Sequence, residues 1–182
     1  MKETKKKGIS GAKAVALVAI MAATIEVGKL ALSFLPNMEV VTILCALYGY
    51  VFGVWGVVAA AVFVCIEPLI YGFGSWTVTY FIYWPMVAAV FMLLRKKEWG
   101  GRIVSTLTAI ALTLFFGVFS SIVDGLFLFG ISEYFIKNIG IYYIRGIPFY
   151  IAQLACNAIL FPTLFRFLSK KLDAVKNGFL LS

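Results

Sequence analysis

The side chains able to do chemistry in this sequence fall into three sets. Glu39, Glu67 and Asp124 are carboxylates set singly among apolar residues. Arg145, Gln153 and Asn157 follow at intervals of eight and four, which places them on one broad face of a helix. Trp76, Tyr80, Tyr83 and Trp84 include members at i, i+4 and i+7, a row of rings able to stack on a planar ligand. These are the materials of a binding site. The chain has no histidine, which removes His-based triads, zinc sites of the usual kind and haem ligation by His. Ser120 and Ser121 have only Asp124 nearby to act as a base, so an intramembrane hydrolase is a weak rival. Cys45, Cys65 and Cys156 lie singly in apolar segments and read as small thiols, not ligands. No catalytic residue, metal or resident cofactor is expected.

These residues must be positioned by helices inside a membrane. Apolar residues make up 63% of the 182 residues and charged residues 13%, with a mean hydropathy of +1.00, against about 25% charged in an ordinary soluble domain. The first apolar run, 12–35, is long enough to cross a hydrocarbon layer, which takes about 20 residues at about 1.5 Å each. It exceeds the ~7–15 residues of a signal-peptide core and lacks a small-x-small cleavage site, so its retention is expected. Glycine, proline and charge punctuation divides the chain into six spans, roughly 12–35, 38–52, 54–71, 76–95, 103–129 and 141–169. The second is short for a full crossing. Gly49, Gly53 and Gly56 mark a tight turn or a close helix contact after it. The reading is an all-α polytopic membrane protein, a single six-helix bundle covering 1–182 with no second domain.

The net charge of +8 reports topology, not nucleic acid. Lys2, Lys5, Lys6, Lys7 and Lys13, then Arg95, Lys96, Lys97 and Arg102, then Arg166, Lys170, Lys171 and Lys176 account for thirteen of the 16 basic residues. They sit where the positive-inside rule puts cytoplasmic ends, so both termini are expected on the cytoplasmic side. The long 130–140 connection is then expected outside.

With that orientation, Glu67 lies about 20 Å from the cytoplasmic start of its span, and Asp124 and Arg145 also fall in the outer half. Gln153 falls near the middle. Ionisable groups at such depth are expensive and normally face protein or water. Glu26 and Lys29, at i and i+3, read as a local interfacial couple, and Asp124 with Arg145 could equally be a brace between helices. Gln153 and Asn157 could satisfy neighbouring helices at about 1 kcal/mol each. Trp76 suits the headgroup belt, whereas Tyr83 and Trp84 lie roughly 10 Å deeper and suit a cavity wall. Ala12, Ala16, Ala19 and Ala23 line one stripe of the first helix, where methyl groups let a second helix come close. That stripe serves either the chain's own bundle or a docked protein.

Leu35-Pro36-Asn37-Met38-Glu39-Val40-Val41-Thr42 after an alanine-rich first helix, then Arg145-Gly146-Ile147-Pro148-Phe149 with Gln153, Asn157 and Pro162, resembles the substrate-binding S components of energy-coupling factor (ECF) vitamin transporters. The resemblance covers essentially the whole chain. It implies a multi-pass protein of a bacterial cell membrane that captures a vitamin or other micronutrient outside. It also implies a transmembrane coupling subunit as partner, met by the Ala12, Ala16, Ala19 and Ala23 stripe, and two ATPase subunits. ATP would be used by those partners, since this chain has no G-x-x-x-x-G-K-[ST] loop. The nearest group is the cobalamin type, although Glu39, Glu67 and Asp124 would also suit a cationic pyrimidine. A six-helix scaffold of the cell-shape machinery is the rival of similar topology.

Overall fold

The computed structural model describes residues 11–34, 40–131 and 134–181; Glu39 and the turn around it lie outside them. The described chain is helical, with no strand. Gly11–Ala31 forms α1, Val41–Phe52 α2, Val54–Tyr71 α3, Ser75–Lys96 α4, Arg102–Phe129 α5 and Phe135–Leu160 α6. A π-helical turn over Phe161–Phe165 then leads into α7, Arg166–Leu181. Five helical stretches are long and apolar enough to cross a membrane: α1, α3, α4, α5 and the continuous 135–178 stretch. This is a membrane-embedded protein.

The second helix has 12 residues, so it rises only about 18 Å, and its place in the bundle explains its composition. All of it except Leu44 and Tyr50 is buried, which is what a helix apolar on every side requires. It packs most extensively on α4, where backbone meets backbone. A Cβ added to Gly49 would fall on the carbonyl group of Ala88. Gly56 is held as closely against the carbonyl of Tyr48. Gly53, at φ +64°, turns the chain between α2 and α3, a conformation glycine adopts without steric cost. So the three glycines divide the work: Gly53 makes the turn, and Gly49 and Gly56 make close contacts.

Around α2, α1 packs on α3, α3 on α4, α4 on α5 and α5 on α6. The sixth helix begins at Phe135, six residues before the 141 expected from its sequence, despite Gly140 in its second turn. Packing accounts for the difference. Gly125 of α5 leaves room for the Ile139 side chain, and Phe129 meets Tyr142 at 5.9 Å between ring centres. These contacts offset the intrinsic cost of a glycine in a helix, about 1 kcal/mol. The 130–140 connection is accordingly shorter than expected.

At the other end the helix runs on for 44 residues, far more than a bilayer needs. The surplus, α7, is amphipathic and folds against the basic end of the bundle. Arg95 makes a two-pronged pair with Asp173 at 3.0 and 3.2 Å, and Lys176 donates to the Val51 carbonyl at 2.6 Å, closing the C-terminus of α2. Phe165 of the π turn is wedged between Tyr50 and Phe91.

Candidate functional site

The buried polar groups divide unevenly between the basic end of the bundle and the far end. The last turns of α1 and α3 and the first turns of α4 carry the main group. Lys29 of α1 reaches across to form an ion pair with Glu67 of α3. Glu67 is fully buried, and its other oxygen, Oε1, has no hydrogen-bond partner. The couple expected between Glu26 and Lys29 is therefore not the pairing found. Glu26 lies a turn before Lys29, buried and facing the Glu67 carboxyl group, with neither oxygen receiving a hydrogen bond.

Aromatic rings surround the lysine. Its ammonium lies 4.2 Å from the centre of the Tyr71 ring and 5.7 Å from that of Tyr80, inside the range of a cation–π contact. Tyr71, at the end of α3, interacts electrostatically with both acids. From Tyr80 the rings continue along α4: Trp76 at 5.3 Å, Trp84 at 5.6 Å, and Tyr83 against Trp84 at 4.8 Å. Tyr83 and Trp84 are buried and pack on Phe116 of α5, whereas Trp76 and Tyr80 are half-buried. The same helix buries two more polar atoms with no partner, Thr79 Oγ1 and Trp84 Nε1. An unpaired buried polar group costs about 1–3 kcal/mol, so a run of them on adjacent helices calls for a reason.

Asp124 joins the same end from α5. Its carboxylate accepts a hydrogen bond from Ser75, in the first turn of α4, at 2.5 Å. It is not braced to Arg145, which is exposed and makes no ion pair among the described residues. Asn157 is buried and donates to Thr113 of α5 at 2.9 Å, an inter-helix tie deeper in the bundle. Gln153 is half-buried, with no side-chain hydrogen bond among the described residues. Arg145, Gln153 and Asn157 thus occupy three different surroundings. Ser120 and Ser121 share the Tyr150 hydroxyl at 3.2 and 3.4 Å, and Ser121 also donates to the Gly117 carbonyl.

Sequence reasoning set Glu26 and Lys29 aside as a local couple and did not single out Tyr71 or Thr79. Tyr71 is the last residue of the expected 54–71 span, and it closes α3 directly over the lysine.

On α1, Ala12, Ala16, Ala19 and Ala23 are all exposed, while Ala14, Val18, Met21, Ala22 and Ile25 face the core. Among the described residues, the stripe is not buried by the other helices. Beside it, an open apolar groove of about 540 Å³ runs between α1 and α3, lined by Ala19, Trp55, Val58 and Val62 among others.

Comparison of the chain with family models, with curated proteins and with solved structures returns no match.

Proposed function

We propose that the chain is the substrate-capture subunit of an ECF-type importer. In this reading six helices span a bacterial cell membrane, the basic end and both termini face the cytoplasm, and a small vitamin-like molecule is taken at the far end. The observation that carries the reading is the gathering there of buried polar atoms without partners, on Glu26, Glu67, Thr79 and Trp84, beside half-buried aromatic faces. A membrane bundle gains nothing from such atoms unless something completes them. A bound molecule with its own donors would do so.

The exposed alanine stripe supports the second half of the proposal. Helices associate in lipid through close packing, and a strip of methyl groups next to an open apolar groove offers a partner helix both approach and depth. The coupling subunit is the proposed occupant, with two ATPase subunits supplying the energy. Binding is favoured over hydrolysis because Asp124 is engaged by Ser75, so the nearest base is turned away from Ser120 and Ser121.

Native mass spectrometry of the detergent-extracted protein tests the reading. The expected spectrum contains a population carrying one small organic molecule, whose mass separates a planar vitamin precursor from the far larger cobalamin. Protein that is empty from every vitamin-supplemented culture, and that binds none of the supplied vitamins afterwards, would overturn it and favour the scaffold.

A further inference from the structure

The buried groups around Lys29 do not balance in charge. Two carboxylates, Glu26 and Glu67, face one another across α1 and α3, and one ammonium serves them both. Its bond goes to Glu67, leaving three carboxylate oxygens without a donor. A carboxylate kept from water without a counter-charge is among the most costly arrangements a membrane bundle can hold. One further positive charge, a proton shared by the two acids or a bound cation, would bring the cluster to neutrality.

The surroundings match a cation as well. The Lys29 ammonium already sits over the Tyr71 and Tyr80 rings, whose faces attract positive charge, and its side chain is 28% exposed, so this corner is open to the surface. Trp76, half-buried, extends the aromatic face next to Tyr80. Resting on the capture reading, we infer that the ligand is an organic cation: a planar ring bearing one positive charge that seats between Glu26 and Tyr80, beside Lys29. The lysine marks where a cation is comfortable, and the ligand supplies the charge that Glu26 lacks. Without such a ligand, a proton shared between the two facing carboxyl groups must balance them, and the bound cation takes the place of that proton.

Two probes of almost the same shape test this on the purified full chain: 1-methylnicotinamide, a permanent cation, and nicotinamide, which is neutral. Binding is read by ligand-induced thermal shift over a concentration series. The cation should bind about tenfold more tightly, and Glu26→Gln should reduce that preference to about twofold or less. Equal binding of the two probes, or tighter binding of the neutral one, overturns the charge assignment and leaves the capture reading standing. Failure of both probes to bind also overturns it, while the capture reading is judged separately by the mass of the co-extracted molecule. Should Glu26→Gln not fold, the wild-type comparison of the two probes decides by itself.

Discussion

Lys29 on α1 is ion-paired with Glu67 on α3, and Glu26, one turn earlier on the same helix as the lysine, faces that pair without a donor of its own. This relation ties two helices together at the end of the bundle where the aromatic row begins. It also sets the energetics of the site. Removing one partner of a buried pair strands the other, whereas removing both need cost little.

Lys29→Met should therefore destabilise the protein by about 3–5 kcal/mol, and Lys29→Met combined with Glu67→Leu should recover most of the loss. Thermal midpoints of the single and double variants in one detergent measure it. A single variant as stable as the wild type would mean that the pair contributes nothing to α1–α3 packing.

The contact of Gly49 with Ala88 makes a sharper structural prediction. Gly49→Ala forces α2 off α4 and should cost about 1–3 kcal/mol. Gly101→Ala, where an added Cβ meets nothing within 4 Å, should change stability by about 0.5 kcal/mol or less. Denaturation of the two variants side by side separates the contact from a general intolerance of glycine replacement.

Thr113→Val removes the acceptor of the Asn157 amide, whose residue is fully buried. The expected loss is about 1–3 kcal/mol of stability, with ligand occupancy unchanged in the protein that folds. A selective loss of occupancy would return Asn157 to the binding site.

Leucine at Ala16 and Ala19 together should leave stability and ligand binding as they are, because both positions are exposed, and should abolish uptake in cells. Loss of binding in the purified double variant would place those alanines inside the bundle's own packing.

Much of the fold was legible because glycine and charge act locally. Gly53, Gly72 and Gly130, all at positive φ, close α2, α3 and α5 near where the sequence was punctuated. The candidate site was less legible, because pairing depends on which helices touch. The spacing of Glu26 and Lys29 displays a local partner, while the α1–α3 contact supplies Glu67 instead. Arg145 and Asn157 look aligned in the sequence, but twelve residues at about 100° each leave them roughly 120° apart, enough to put one at the surface and the other against α5. The brevity of α2 was legible in the sequence; its burial at all but Leu44 and Tyr50 goes with the close approach of Gly49 to Ala88, a contact no single segment reveals.

The central claim is that the buried acids and rings at the far end hold the ligand, and occupancy in Glu26→Gln tests it most directly. Wild-type and variant protein are extracted from the same medium, and bound small molecule is quantified per protein by mass spectrometry alongside the thermal midpoint. The expected result is occupancy reduced to about a tenth or less, with a midpoint equal to or above that of the wild type because a buried like-charge contact has gone. Undiminished occupancy in Glu26→Gln and also in Trp84→Phe would contradict the claim.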